Sequence, residues 1–250
     1  MKISPSQVET FATCGLRWLL EVAAGAVPPS TSGHLGMVIH AAAALAAQGA
    51  SAEEVARRVD EIWHRLSFDS PWYSAAQRGL AFEMLAKFAE WERANQRELV
   101  ASEQGFWVQL GDAAIRGRVD RLERDAEGAA VIVDLKTGSS KPAAEEIPRQ
   151  PQLGVYQLAA ALGAFAEYGL LEPGGAELVQ VGKVSGKAAQ VQAQRALTRD
   201  SDPDWALDLV RAVAAGMAAP TFQAKVNPRC RTCAVAGSCP VDERGGQVAG

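Results

Sequence analysis

The first hundred residues carry apolar side chains at the spacing of amphipathic helices. The stretch Ser4-Pro5-Ser6-Gln7 has the composition of a capped helix start, with Ser4 as the cap and Gln7 able to reach back to it. An apolar stripe opposite a charged face recurs further along the chain. We therefore predict a helix from Ser4 and others at about 36–47, 52–66 and 75–98, and we interpret residues 48–100 as a helical insertion beside the core.

After residue 100 the pattern changes to short apolar segments separated by turn residues. The turns at 110–112 and 125–128 predict an antiparallel meander of three strands. The predicted elements are strands at 103–109, 113–124 and 129–137, a helix at 149–167, a weaker strand pair at 177–185 and 189–197, and a helix at 205–217. The pattern indicates one α/β domain over residues 1–250, whose glycine-rich tail, 241–250, is expected to be disordered.

The stretch VIVDLKTG, residues 131–138, places two opposite charges inside an otherwise apolar strand. Because side chains alternate between faces, Asp134 and Lys136 share one face with Ile132. Asp120, on the preceding strand, can then lie near Asp134. Close carboxylates repel each other unless a cation or a proton lies between them, and Mg²⁺ or Mn²⁺ prefers oxygen ligands. The pattern predicts a divalent metal site beside Lys136, although a structural Asp–Lys pair would explain the tripeptide alone.

The overall charge does not favour general binding to nucleic acid. The chain has 250 residues and a formal net charge of −4, so any nucleic-acid partner must be held by a local basic patch or by bound cations. The N-terminus lacks the apolar core of a signal peptide, and no apolar run is long enough to span a bilayer. We expect a cytoplasmic protein with no membrane partner.

Four cysteines form a second candidate site. Cys230 and Cys233 are separated by two residues, Cys239 follows, and Cys14 lies far upstream. A closed metal site normally needs four ligands, and a centre bound by all four thiols would hold the chain ends together. Zinc and an iron–sulfur cluster both suit four thiolates, and the spacing does not choose between them. Two disulfides or free thiols are the remaining alternative.

Taken in order, these motifs resemble the PD-(D/E)xK nucleases, specifically the RecB-type branch with a [4Fe–4S] cluster. The resemblance covers nearly the whole chain and rests on six motifs: Ser4-x-Ser6 with Cys14, Gly36-x-x-x-His40, Gly117-x-x-Asp120-Arg121, Asp134-Leu135-Lys136-Thr137-Gly138, Gln152-Leu153-x-x-Tyr156, and Cys230-x-x-Cys233 with Cys239-Pro240. Gly15 follows Cys14 where relatives often have proline, but no implied ligand is lost. The resemblance implies a restriction-endonuclease-like core, with a central mixed sheet flanked by helices and a cluster that joins the chain ends.

The resemblance also implies which residues act. The implied metal ligands are His40, Asp120, Asp134 and the carbonyl of Leu135. The implied catalytic residues are Asp120, Asp134, Lys136, Gln152 and Tyr156, with Lys136 serving the attacking water. The implied contacts to the DNA backbone or the active-site water are Gln152 and Tyr156. Arg118 and Arg121 are predicted as further DNA contacts because they lie on the same strand as Asp120. The implied cluster ligands are Cys14, Cys230, Cys233 and Cys239. Glu103 corresponds to an acidic residue that some members carry on the preceding strand.

The function that follows is a Mg²⁺- or Mn²⁺-dependent deoxyribonuclease acting on single-stranded DNA or on free ends. Relatives act in DNA repair and recombination, often joined to a helicase motor as a fused domain or a subunit, and this chain has no phosphate-binding G-x-x-x-x-G-K-[ST] loop of its own. The alternatives are an inactive DNA-binding or scaffolding domain and a hydrolase of small phosphate esters. Basic residues that could line a groove for DNA are Arg116, Arg118, Arg121, Arg124, Lys141, Arg149, Arg229 and Arg231.

Overall fold

A six-stranded mixed sheet forms the centre of the structure. The computed structural model describes residues 1–25, 31–66, 68–182 and 186–245. Its strands are β1 (Lys2–Ile3), β2 (Glu98–Leu110), β3 (Ala113–Arg124), β4 (Ala130–Lys136), β5 (Pro173–Gln180) and β6 (Gln190–Arg195). Its α-helices are α1 (Pro5–Thr13), α2 (Gly15–Trp18), α3 (Thr31–Ala47), α4 (Ala52–Trp63), α5 (Pro71–Ala94), α6 (Pro151–Ala161) and α7 (Trp205–Met217). Residues 246–250 of the predicted tail and 183–185 of a predicted strand lie outside the described residues.

The sheet contains a gap along one edge of β3. β2 pairs with β3 in antiparallel fashion along the other edge, with a register shift between Leu99 and Ala101. On the gapped edge, β1 pairs with Ala114 and Ile115, and β4 pairs with the segment from Arg121 to Arg124. β5 then runs parallel to β4, and β6 runs antiparallel to β5. Between β1 and β4, residues 116–120 have no strand partner on this edge within the described part of the chain, which leaves room for a functional site.

Two helical layers cover the two faces of the sheet. Ile132 of β4 packs with apolar residues of α1, α6 and α7, whereas Val133 and Leu135 pack with those of α3, α4 and α5. The alternation along β4 therefore divides its side chains between the layers. The predicted α/β fold, with a mixed sheet flanked by helices, is confirmed. The helices that we predicted as an insertion form much of the second layer.

Local signals fix several helix ends. The predicted capping box is present, since Ser4 Oγ accepts the Gln7 N–H at 3.2 Å and Gln7 Oε1 accepts the Ser4 N–H at 3.0 Å. α6 ends at Ala161, earlier than predicted, and Gly163 just beyond it has a φ of +85°, which is a left-handed conformation that stops a helix. Among the described helices, none is both long enough and apolar enough to cross a bilayer.

A buried ion-pair network joins α5 to the sheet. Glu123 of β3 is fully buried and accepts hydrogen bonds from Arg97 Nε at 2.7 Å, Arg121 Nε at 3.0 Å and Asn95 Nδ2 at 2.9 Å. Arg97 also binds both carboxylate oxygens of Glu177 on β5. Every charge in this group has a partner, and removal of one partner would leave others buried without compensation.

We predict that Glu123→Ala lowers the free energy of unfolding by about 3 kcal/mol or more, because Arg121 and Arg97 lose a buried counter-charge. Urea denaturation followed by circular dichroism measures this change. The control is Glu61→Ala, which removes an exposed ion pair with Arg57 on α4 and should cost less than about 1 kcal/mol. Equal losses in the two variants would contradict the stabilising role of the network.

Candidate active site

The gap on β3 is surrounded by elements from both helical layers. Asp120 lies where the pairing of β3 with β4 begins, and its Oδ2 accepts the main-chain N–H of Leu135 at 2.7 Å. The carboxylate thus continues the contact between the two strands beyond their last paired residues. α3 approaches this position from one layer and α6 from the other, so that side chains from both sides of the sheet meet at its edge.

On the side of α3, three potential metal ligands converge. His40 Nδ1 lies 3.1 Å from Asp120 Oδ1 and 3.8 Å from Glu103 Oε1. One ligand atom from each of these residues lies within 4.8 Å of the other two. His40 and Asp120 were predicted as ligands, and Glu103, which we connected to the site only through the resemblance, joins them. Nitrogen and carboxylate oxygen donors together suit a divalent cation.

Glu103 has an unusual backbone conformation. Its φ is +50°, in the left-handed region that residues other than glycine seldom adopt. Its neighbours Ser102 and Gln104 pair with Arg121 and Val119 of β3, but Glu103 itself is not among the paired residues. Beyond this point the inward face of β3 also changes, since Val119 and Leu122, three residues apart, both pack in the same core layer. Strained conformations of this kind cluster at functional sites, and here the strain accompanies a carboxylate in the cleft.

On the side of α6, a hydrogen-bonded group surrounds Asp134. Lys136 Nζ lies 2.7 Å from Asp134 Oδ2 and donates to Gln152 Oε1 at 2.8 Å. Gln152 Nε2 donates to Asp134 Oδ1 at 2.8 Å, and the Tyr156 hydroxyl donates to the same oxygen at 3.2 Å. Asp134 and Lys136 therefore point to the same side of β4, as the alternation predicts. Within the described residues, Asp134 Oδ2 has no donor other than Lys136.

The position of α6 depends on a close helix–helix contact. Gln150 caps the helix and Pro151 occupies its first turn. Gly154 faces the indole of Trp205 on α7, and a Cβ atom at this position would lie 2.2 Å from that ring. Residues four apart share a helix face, so the contact between Gly154 and Trp205 leaves Gln152 and Tyr156 together on the face of α6 that meets β4.

The electrostatics join the two groups into one site. Burial would lower the pKa of His40, but the hydrogen bond and charge of Asp120, with the charges of Glu103 and Asp134, raise it above its ordinary value. Burial, with a contribution from Asp120, raises the pKa of Glu103 and of Asp134, although Arg118 opposes the first shift and Lys136 the second. Mutual repulsion of this kind is relieved by a bound cation.

Burial is also the main cause of the shift at Tyr156. It raises the pKa of the hydroxyl, and the charges of Asp134 and Asp120 add to the effect. The hydroxyl therefore stays protonated and serves as a hydrogen-bond donor to Asp134. This environment suits a residue that holds the carboxylate in place.

The two arginines predicted to contact DNA have different environments. Arg118 is exposed, and its Nε lies 2.8 Å from Glu103 Oε2 at the rim of the cleft. Arg121 is only 4% exposed, pairs with Glu92 and Glu123, and lies over the rings of Phe88 and Trp91. The structure does not favour the predicted DNA contact of Arg121, because the side chain is buried and its Nε and one terminal nitrogen already pair with carboxylates. Proximity to Asp120 in the sequence did not reveal this burial, which accompanies the change in the inward face of β3 near Asp120.

The four cysteines meet in a cavity separate from the acidic cleft. Cys14, Cys230, Cys233 and Cys239 line one cavity, and none of them forms a disulfide. Main-chain N–H groups point at two of the sulfurs, from Lys225 to Cys14 at 3.5 Å and from Asn227 to Cys230 at 3.3 Å. No three of these sulfurs lie within 4.8 Å of one another in the described residues. Because all four cysteines line this cavity, Cys14 lies beside the segment 230–239, as a shared centre would require.

Comparisons with known proteins agree with this architecture. A family model described as the PD-(D/E)XK nuclease superfamily matches residues 2–240. An Eubacterium rectale protein described as a candidate exonuclease is 15% identical, with a TM-score of 0.52 over 92% of this chain and 87% of that chain. The structure of SSO0001 is 14% identical, with a TM-score of 0.45 over 96% of this chain and 85% of that chain. At 15% identity the likeness to the Eubacterium rectale protein concerns the fold alone. No curated protein matches the chain at a significant level. The family match over nearly the whole sequence shows that the chain belongs to the PD-(D/E)XK nuclease superfamily.

Proposed function

We propose that the chain is a deoxyribonuclease that uses Mg²⁺ or Mn²⁺ to hydrolyse phosphodiester bonds in single-stranded DNA or at free DNA ends. The observation that carries this proposal is the junction of two groups at the gap in β3. His40, Glu103 and Asp120 supply ligands on one side, and the Asp134–Lys136 pair lies on the other. Asp120 touches both, through His40 and through the amide of Leu135.

The donor set fits a hard divalent cation. The donors that converge are carboxylate oxygens of Glu103 and Asp120 and a nitrogen of His40. Asp134 lies outside this group of three, and we propose that it adds a further oxygen ligand. The Leu135 carbonyl is a further proposed ligand. The Lys136 carbonyl accepts the N–H groups of Val181 and Gly182 on the β5 side, at 3.0 and 3.2 Å. Because successive main-chain groups of a strand point to opposite sides, the Leu135 carbonyl is directed to the β3 side, where Asp120 lies.

The side chains of the site divide the chemical work. A bound divalent ion would neutralise the charge of the phosphodiester and polarise it for attack by water. Lys136, held between Asp134 and Gln152, presents a positive charge and N–H donors to the attacking water or to the charge that develops on the phosphate. Gln152 and Tyr156 hold the Asp134 carboxylate through Oδ1, so its second oxygen faces Lys136. Arg118 at the rim is suited to hold a neighbouring phosphate.

The wider role rests on the resemblance of the motifs. We infer that the chain acts in DNA repair or recombination as a RecB-type nuclease module, with a helicase motor as its partner. The absence of a net positive charge fits this view, because a motor that delivers the strand reduces the need for strong binding by the nuclease itself.

We also propose that the four thiols bind a structural [4Fe–4S] cluster. The N–H groups of Lys225 and Asn227 point at the sulfurs, and hydrogen bonds to thiolates are typical of such sites. Zinc suits four thiolates equally well, and the resemblance of the motifs is what favours the iron–sulfur cluster. The cytoplasmic location that we expect from the sequence would keep the thiols reduced before assembly.

We predict that Asp134→Asn and Lys136→Met each reduce cleavage of end-labelled single-stranded DNA by about a hundredfold or more, because each removes charge from the reacting centre. Linear and circular strands are incubated with Mg²⁺ or Mn²⁺, with and without a chelator. Asp60→Asn, which changes an exposed residue paired with Arg78, is the matched control and should cleave at the wild-type rate. Wild-type cleavage rates in both site variants would contradict the assignment of the active site. A wild-type protein that binds DNA but does not cleave it would indicate an inactive DNA-binding domain.

Metal affinity should depend on pH through His40. Only the neutral imidazole binds a metal ion, and the raised pKa of His40 means that protons compete at higher pH than for an ordinary histidine. The affinity for Mn²⁺, measured by calorimetry, should fall about tenfold per pH unit as the pH drops below that pKa. His40→Gln should bind Mn²⁺ more weakly at high pH, and its affinity should no longer fall over this pH range. If the affinity of His40→Gln falls with pH as in the wild type, a group other than His40 causes the pH dependence.

The anaerobically purified protein should be brown and carry about four iron atoms per chain. Cys14→Ser should lose most of the iron and lower the thermal midpoint, because the link between the chain ends is removed. Thr10→Ser, a small polar change on the helix that precedes Cys14, serves as the control and should keep its iron. A colourless protein with one zinc per chain would show that the cluster assignment is wrong.

A further inference from the structure

The open face of the β2–β3 hairpin carries four residues that the catalytic group does not use. Trp107 lies directly opposite Arg116, and Gly105 lies directly opposite Arg118. Residues opposite each other in an antiparallel pair share a face, so all four belong to one surface. We call this surface the hairpin strip. The reverse face carries Phe106 and Val108, which lie in the core.

Trp107 is exposed without a local partner. Its residue exposure is 57%, and within the described residues it makes no ring contact and no hydrogen bond. A single exposed indole is common on protein surfaces, so the residues beside Trp107 decide whether it belongs to a binding surface. Trp72 on α5, which is 74% exposed, contacts the ring of Tyr73 and lies outside the strip, so it offers a comparison within the same chain.

Two guanidinium groups flank the indole. Arg116, opposite Trp107, is exposed and forms no ion pair with any described residue. Arg118 pairs with Glu103 at the rim of the cleft. In a chain of net negative charge, an arginine without a counter-charge beside a bare aromatic ring favours an anionic and aromatic partner.

The strip leads directly to the proposed metal site. Glu103 and Asp120 occupy the next position on the same two strands, and residues two apart on a strand are about 6.7 Å apart. The indole therefore lies roughly 13 Å from the acidic cluster. Gly105 separates the two, and a Cβ there would meet no atom closer than 4.0 Å. Glycine thus leaves a flat opening beside the indole.

We infer that the hairpin strip is a binding platform for single-stranded DNA beside the active site, with Trp107 stacking on a base and Arg116 contacting a phosphate. The inference rests on the proposed function and names the path of its substrate. Stacking needs an unstacked base, because the bases of a duplex already cover each other's faces. Base stacking on an aromatic ring tolerates any sequence, so the platform should bind strands without sequence preference.

The test measures binding of a fluorescent thymidine strand by anisotropy, with Ca²⁺ replacing Mg²⁺. Trp107→Ala should raise the Kd by about 5- to 150-fold, the range for loss of one stacked base, and Trp107→Phe should recover most of the affinity. Trp72→Ala should stay within about twofold of wild type, because it removes an even more exposed indole that lies outside the strip. A blunt duplex of the same length should show little effect of Trp107→Ala.

Arg116→Gln tests the charge separately. Loss of one phosphate contact on a single strand should reduce the slope of log Kd against log salt by about 0.7. A stacking residue carries no charge, so Trp107→Ala should lower affinity and leave this slope unchanged. The pair of variants thus separates the two roles, and circular dichroism confirms that both are folded.

The failures are distinguishable. If the wild type binds and cuts DNA but Trp107→Ala binds single strands equally well, the platform is wrong and the nuclease proposal stands. If the wild type neither binds nor cuts DNA, the proposed function is wrong, and the binding platform is wrong as well. Self-association that depends on concentration, lost in Trp107→Ala while DNA affinity is unchanged, would make the strip a protein interface instead.

Discussion

The site depends on one constraint, which is that carboxylates are held together where one edge of β3 has no strand partner among the described residues. Asp120 continues the contact between β3 and β4 by accepting the Leu135 N–H. It also pairs with His40 and raises the pKa of Asp134. A regular sheet would have filled this edge with main-chain hydrogen bonds. In the gap, side chains occupy this edge instead, and their combined negative charge favours the binding of a cation.

The surrounding fold fixes each member of the group from a different direction. α3 brings His40 from one layer, and α6 brings Gln152 and Tyr156 from the other. The close approach of Gly154 to Trp205 determines how near α6 lies to α7. This helix–helix packing therefore affects the hydrogen bonds that α6 makes to Asp134. The buried network at Glu123 secures β3 against α5 and β5 on the far side of the gap. These contacts hold the side chains of the site from several directions.

Much of this arrangement could be predicted from local patterns. The cap at Ser4 and the alternation that places Asp134 and Lys136 on one face depend only on neighbouring residues, and both agree with the structure. The left-handed backbone at Glu103 could not be predicted, because glutamate has no intrinsic preference for it and the conformation is imposed by the tertiary structure. The burial of Arg121 was missed for the same reason. The change of inward face near Asp120 turns Arg121 toward α5, and strict alternation does not anticipate such a change.

The irregularity near Asp120 also explains how one strand serves two purposes. Before it, Arg116 and Arg118 point outward into water. Beyond it, Arg121 points toward α5, where acidic residues and aromatic rings enclose it. Arg116 and Arg118 carry charge that is accessible to an anion in solution, whereas Arg121 pairs with the carboxylates of Glu92 and Glu123. Asp120 lies between these two regions and contributes its charge to the cleft itself. The arginine count of a strand is therefore a poor measure of its capacity to bind DNA, because each guanidinium is committed by the direction in which the backbone turns it.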